Sequence, residues 1–211
     1  MREIKDYLIH EGEQYRSPEK AGDAKDRMLS LRKKGQVARK TFTQIAKLFQ
    51  EMHSDWNLHP TSQWMNQAQR LRPHFWAYLQ ADGSVSEPML ALRLYGNANN
   101  FGISLEVSFI ERKRDKNSLM KQAKVLTIPV TQGVYYWVQE NGESYRIEAT
   151  EENRNFLQSQ LDSRRIRKVL VKTNVPISSE TSIEVLLVDL EKAYQRLLPY
   201  FFFFFFFFFH P

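Results

Sequence analysis

The sequence contains no cysteine, so it has no disulfide bond, no thiolate metal site and no cysteine nucleophile. The N-terminal residues, MREIKDYLIHEGEQY, also lack the apolar segment of a secretory signal peptide. Both absences are compatible with a reducing compartment. We therefore expect an intracellular, cytoplasmic protein.

Several catalytic signatures are missing as well. The sequence has no GxSxG, no Walker A loop and no GxGxxG, and the stretch from Gly96 to Gly102 lacks the lysine and hydroxyl residue of a phosphate-binding loop. No metal-ligand spacing such as HExxH occurs among the histidines that precede the C-terminal residues, His10, His53, His59 and His74. These absences disfavour a nucleotide-dependent dehydrogenase or kinase, and we expect no cofactor.

The C-terminal end is an unusual run of nine phenylalanines, Phe201 to Phe209, followed by His210-Pro211. The apolar stretch from Leu197 is shorter than the roughly 20 residues that a membrane-spanning helix needs, and no basic cluster flanks it. We interpret residues 201–211 as an artefact, such as an over-read homopolymer tract in the gene. A hydrophobic anchor is the alternative, but we expect no membrane partner.

Charge is the clearest functional signal in the remaining sequence. The net charge is +6 and the pI is about 9.4, a balance that favours a polyanionic partner such as DNA or RNA. A first basic cluster consists of Arg112, Lys113, Arg114, Lys116, Lys121 and Lys124. A second basic cluster consists of Arg164, Arg165, Arg167, Lys168 and Lys172. A third basic cluster around Gly35 consists of Arg32, Lys33, Lys34, Arg39 and Lys40.

Residues 1–80 are predicted to form a helical N-terminal region. Ser17-Pro18 has the composition of a helix start, and Gly35 is expected to end that helix. The segment TFTQIAKLFQ has apolar residues at helical spacing. Together with TSQWMNQAQR it resembles the two helices of a helix-turn-helix unit, although the connection through Pro60 is longer than usual. The alternative is two amphipathic helices that pack together.

Residues 81–200 are predicted to form an α+β domain, with the boundary near Asp82. Two alternating runs, 90–95 and 103–109, indicate an antiparallel pair with one wet face. Asn141-Gly142 between two strand-like runs predicts a hairpin with a type I′ turn. Thr150 is expected to begin a helix, and Ser178 or Ser179 the last one. The predicted fold is α+β: a helical N-terminal part followed by a mainly antiparallel sheet with packed helices.

A short acidic-basic motif supports a catalytic alternative. The apolar strand that ends at Ile110 runs into Glu111-Arg112-Lys113, which resembles the Glu-x-Lys signature of the PD-(D/E)xK nuclease superfamily. The resemblance implies that an aspartate and Glu111 hold Mg²⁺ and that Lys113 helps to activate water. Asp82 is the upstream aspartate that the sequence offers, with Glu87 and Glu106 as weaker choices.

The hairpin aromatics suggest another way to bind nucleic acid. Tyr135, Tyr136 and Trp137 follow one another on a strand, and Tyr145 is expected to face them. An exposed set of rings beside basic clusters can stack bases. However, alternation places Tyr136 on the face opposite Tyr135 and Trp137, so part of the set belongs to the core.

Three functions follow from these patterns. The leading hypothesis is a small basic protein that binds nucleic acid without catalysis, through the first and second basic clusters. The second is a Mg²⁺-dependent nuclease centred on Glu111 and Lys113. The third is a non-enzymatic protein-interaction module. The sequence indicates no oligomeric state.

Overall fold

The computed structural model describes residues 1–81, 89–108 and 116–206 and has the predicted α+β fold. The α-helices are α1 (Arg2–Leu8), α2 (Lys25–Glu51), α3 (Lys116–Ala123), α4 (Glu151–Asp162) and α5 (Ile183–Phe206). The strands are β1 (Trp56–Leu58), β2 (Trp76–Ala81), β3 (Met89–Asn97), β4 (Asn100–Ser108), β5 (Tyr135–Glu140), β6 (Glu143–Glu148) and β7 (Lys168–Ile177). The predicted domain boundary near Asp82 lies outside the described residues.

The seven strands form one antiparallel sheet in the order β1-β2-β3-β4-β7-β5-β6. Strand β5 pairs with both β6 and β7, and Trp137 lies opposite Arg146 on one side and Leu170 on the other. Strand β4 therefore lies in the middle of the sheet. Its residues Ser104, Glu106 and Ser108 are all buried, and so are Ile103, Leu105 and Val107 on the opposite face. The predicted wet face of this strand is therefore wrong, because other parts of the chain cover both of its faces.

The chain divides into two compact units. The first consists of Met1–Leu79, Leu92–Ser104 and Val175–Leu190. In this unit the ring of Phe75 packs against Tyr7 and Phe42, with ring centroids 5.1 and 5.8 Å apart, respectively. The Tyr7 hydroxyl lies within hydrogen-bonding distance of the Trp64 and Arg72 carbonyls, and burial raises the pKa of this tyrosine.

Helix α2 is one continuous helix, which overturns the predicted break at Gly35. Gly35 lies in the helix interior and does not end it. A Cβ built on Gly35 would be 2.5 Å from Trp64 Cε3, so glycine is required there by the close approach of the indole ring. The segment TSQWMNQAQR contains no helix; Met65 instead forms an isolated bridge with Leu71. The helix-turn-helix hypothesis is therefore wrong, because its second helix is absent.

The second unit consists of Gln80–Ala91, Leu105–Asn174 and Glu191–Pro211. The β5 residues Tyr136 and Val138 are fully buried. In register with them on β7 are Val171 and Val169, which are also buried. Alternation along β5 thus separates a core face, which carries these side chains, from an opposite face that carries Tyr135, Trp137 and Gln139.

Two local signals are confirmed in this unit. Asn141 and Gly142 form the turn between β5 and β6 with φ of 50° and 89°, the positive values that a type I′ turn requires. The Thr150 side chain accepts a hydrogen bond of 3.1 Å from the Asn153 N–H and begins α4. Both signals depend only on residues close in sequence, so tertiary packing did not alter them.

The last helix differs in its start from the prediction. Helix α5 begins at Ile183, and the Ser182 hydroxyl, not Ser178 or Ser179, accepts from the Val185 N–H at 3.3 Å. Helical backbone continues past Pro199 as far as Phe206. Among the described residues, no helix combines the length and the apolar character that crossing a membrane requires.

Candidate functional site

The nuclease residues lie outside the part of the chain that the structure describes. This applies to Asp82, Glu111 and Lys113, and equally to Arg112 and Arg114 of the first basic cluster. Lys116 is the first residue of α3, where the backbone is helical. The part of the candidate site that the structure describes therefore begins at α3 and belongs to the second unit.

A cleft of about 530 Å³ opens between α3, α4 and the connection from α4 to β7. Helix α3 lines it with Leu119, Met120 and Ala123. Helix α4 contributes Gln158, Leu161 and Asp162, and the connection contributes Arg164, Ile166 and Arg167. The helix that carries part of the first basic cluster and the turn that carries Arg164 and Arg167 of the second thus line the same cleft.

Hydrogen bonds at the start of α4 hold this helix to the segment that follows α3. The Arg154 guanidinium donates to the Leu126 carbonyl at 2.8 Å, and the Glu151 carboxylate accepts from the Val130 N–H at 2.7 Å. The bond from the Val130 N–H is the main reason why the pKa of Glu151 is lowered, with a further contribution from the Arg154 side chain. These contacts set the position of α4 relative to α3.

The turn after α4 determines where its arginines lie. The Arg164 N–H donates to the Leu161 carbonyl at 2.9 Å, and the Arg165 N–H donates to the Gln160 carbonyl at the same distance. Arg164 has φ of 58°, a left-handed conformation that reverses the chain at the helix end. Ile166 is buried and fixes the turn to the core, which leaves both arginine side chains exposed.

Positive and negative charges are unevenly distributed over the turn after α4 and the cleft. For Arg164 and Arg165 the structure, as far as it describes the chain, gives no side-chain hydrogen bond or ion pair. Arg167 is exposed too, but its Nη1 donates to Gln139 Oε1 at 2.6 Å. Among the described residues that line the cleft, Asp162 is the one with an acidic side chain, and it accepts from Gln158 Nε2 at 2.9 Å. Positive charge therefore predominates at the rim.

Lys172 belongs to the second basic cluster in sequence but not on the surface. Its side chain is only 8% exposed, and its Nζ lies 2.7 Å from a carboxylate oxygen of Glu106, which is 1% exposed. The same ammonium lies 5.0 Å from the centre of the Trp137 ring. Buried cations are paired because removal from water is costly, so Lys172 is a structural cation. Lys168 is partly buried at the start of β7.

The hairpin aromatics do not form one platform. Tyr145 lies opposite Val138 and shares a face with Tyr136, but not with Tyr135 and Trp137, so the prediction that it faces all three is wrong for the last two. The Tyr145 hydroxyl donates to Glu140 at 2.7 Å, and this bond raises the pKa of the tyrosine. Tyr135 is only 6% exposed, and the Arg146 guanidinium covers its ring at 4.2 Å.

The third basic cluster is partly structural. Arg39 donates to the carbonyls of Thr61 and Ser62 at 2.8 and 2.9 Å, and Lys34 Nζ lies 2.8 Å from His10 Nε2. These bonds hold the irregular segment after β1 and the end of α1 against α2. The predicted recognition helix over TSQWMNQAQR, which would have lain beside this cluster, is not formed.

The apolar lining of the cleft was not found by sequence reasoning. Leu119, Leu161 and Ile166 come from three segments, so no periodicity connects them, and the exposure of Met120, at 62%, is visible only in the fold. Within residues 1–81, 89–108 and 116–206, no group of three or more histidine, aspartate or glutamate side chains is placed to hold a metal ion. Comparison of the chain with protein-family models, curated sequences and solved structures finds no match.

Proposed function

We propose that this chain is a small basic intracellular protein that binds nucleic acid without catalysis. The observation that carries the proposal is the turn after α4: its Arg164 and Arg167 line a cleft that α3 also lines, and its Arg164 and Arg165 side chains are exposed. The remaining arginines of the first basic cluster, Arg112 and Arg114, directly precede α3 in the sequence.

The chemistry of the guanidinium group supports a phosphate ligand. An arginine presents several N–H donors in one plane and can hold a phosphate through two of them. Each phosphate that a cation neutralises releases counterions, so the affinity of such a surface falls steeply with salt. Contacts of this kind carry no sequence information by themselves.

The test is a fluorescence anisotropy titration of a mixed-sequence labelled oligonucleotide at several salt concentrations. The variant is Arg164→Gln/Arg165→Gln, which removes two exposed positive charges. We expect weaker binding and a salt slope reduced by about one for each phosphate that the variant no longer neutralises. Because both side chains are exposed and neither holds another element in place, the variant is expected to unfold at the wild-type temperature.

The matched control is Lys20→Gln/Lys25→Gln, which removes the same charge from exposed positions in the first unit. An equal loss in the control would assign binding to net charge and contradict the proposed site. No binding at low salt by the wild-type chain would contradict the function. Incubation of the wild-type chain with plasmid DNA and Mg²⁺ is expected to leave the plasmid intact, and cleavage would contradict the absence of catalysis.

A further inference from the structure

The cleft has an apolar interior that phosphate binding alone does not need. Leu119 and Met120 form one wall, and Leu161 and Ile166 face them from α4 and the following turn. A cavity of about 530 Å³ is within the size range of pockets that hold small organic groups. Apolar surface of this kind gains free energy when a flat ring system displaces water from it.

The polar groups of the cleft are arranged in two zones. Arg164 and Arg167 belong to the turn at the rim, whereas Gln158 and Asp162 form a hydrogen-bonded pair on the α4 wall. A carboxylate repels phosphate but accepts hydrogen bonds from the amino or imino groups of a nucleobase. This distribution of charge favours a ligand whose phosphates bind the arginines at the rim and whose neutral ring lies inside the cleft.

From this arrangement we propose that the cleft takes one unpaired base of a single-stranded nucleic acid. The inference rests on the proposed function and adds the class of nucleic acid. In a duplex the bases are stacked and their faces are inaccessible, whereas single-stranded bases can leave the stack and lie in a protein pocket.

The first measurement compares the wild-type chain on a mixed-sequence DNA oligonucleotide and on the same sequence as a duplex, at one salt concentration. We expect tighter binding of the single strand by about fivefold or more, the effect of one well-placed base. Equal affinity for both forms would overturn the single-strand inference and leave the proposed function standing. Absence of binding to either form would overturn both.

The second measurement tests whether the base binds in the cleft. Ala123→Leu narrows the cleft, and Met120→Gln replaces an exposed apolar wall residue with a polar one of similar length. Both variants are expected to lose the preference for the single strand and to keep the salt slope of the wild type. Met52→Gln is the control, since Met52 is an exposed methionine of the first unit, 49% accessible.

A fluorescent base analogue gives a direct signal. When 2-aminopurine is placed in the single strand, its emission is expected to change on binding to the wild-type chain and to Met52→Gln. The change is expected to be smaller with Ala123→Leu. A full emission change and an unaltered single-strand preference in both cleft variants would overturn the inference, because the base would then lie elsewhere.

Discussion

At the scale of single residues, position in the fold decides what a positive charge does. Arg165 and Lys172 belong to the same basic stretch of sequence. Arg165 is exposed on a turn, whereas Lys172 is buried on β7 and paired with Glu106. Composition counts both as equal contributions to net charge, but only the first is accessible to a phosphate.

The buried pair makes a testable prediction at this scale. Lys172→Met leaves Glu106 buried without its cation, and we expect the free energy of unfolding to fall by about 3–5 kcal/mol. The double variant Lys172→Met/Glu106→Leu is expected to recover most of that loss, because neither side chain then carries a charge. Urea unfolding of the wild type, both single variants and the double variant measures the coupling free energy between Lys172 and Glu106.

The outcome also separates a structural cation from a binding one. Unchanged stability of Lys172→Met, together with weaker nucleic-acid binding, would show that Lys172 acts at the surface. We expect the reverse: the variant loses stability, and under conditions where it stays folded its affinity for an oligonucleotide matches that of the wild type.

At the scale of secondary-structure elements, α2 shows how a tertiary contact overrides a local signal. Glycine lowers helix propensity and is common just after a helix end, so a break at Gly35 was the natural prediction. In the fold the helix continues to Glu51, and Gly35 lies under the Trp64 ring. Packing of the indole against the backbone explains why a poor helix former occupies this position.

We therefore predict that Gly35→Ala is destabilising although alanine is the better helix former. The added methyl would lie 2.5 Å from a rigid ring, and overpacking of this kind costs about 1–3 kcal/mol. Thermal unfolding followed by circular dichroism measures the change. Ser30→Ala, at an exposed position of the same helix, serves as the control and is expected to be neutral or slightly stabilising. An increase in the stability of Gly35→Ala would contradict the packing of Trp64.

The hairpin and α4 behave differently from α2, because their signals are satisfied within a few residues. The positive φ values of Asn141 and Gly142 and the Thr150 cap need only neighbouring backbone. Sequence reasoning therefore found both elements. The two-residue turn also fixes the register of β6 against β5 and places Tyr145 opposite Val138, a consequence that the prediction for Tyr145 missed.

At the scale of the whole molecule, ionisable groups define the pH range of stability. The hydrogen bond from His10 is the main cause that lowers the pKa of Glu13, and the Val130 N–H has the same effect on Glu151. A carboxyl whose folded pKa lies below its unfolded value stabilises the fold above the unfolded pKa, about 4.3. That contribution is lost as the pH falls through the folded pKa, because the unfolded chain binds the proton first.

Two tyrosines act at the alkaline end. Burial is the main cause that raises the pKa of Tyr7 and of Tyr136. A tyrosine of this kind contributes fully below its unfolded pKa, about 10, and the contribution is lost as the pH rises through the folded value.

We therefore predict that these four groups contribute a constant amount to the free energy of unfolding between about pH 5 and pH 10. Urea unfolding over a pH series measures it, and Glu13→Gln is expected to show a shallower decline below about pH 4.5 than the wild type. A free energy of unfolding that increases on acidification through this range would contradict the lowered pKa values.

The candidate site illustrates how far sequence reasoning reaches. Charge alone points to Arg164, Arg165 and Arg167, because a run of cations with no acidic residue among them is visible in the sequence. The cleft beside them was not identified, because Leu119 and Ile166 are distant in sequence and become neighbours only through packing. A cavity is a property of several elements at once, and no single segment encodes it.

By itself the sequence determined the α+β class, the hairpin at Asn141-Gly142 and the cap at Thr150, since each depends on local backbone preference or on the alternation of apolar residues. It also determined the excess of positive charge. Only the tertiary structure decided that α2 continues through Gly35, that Lys172 is buried beside Glu106, and that α3 faces the Arg164 turn. Burial and long-range contact depend on which distant segments meet, and that follows from the packing of the chain as a whole.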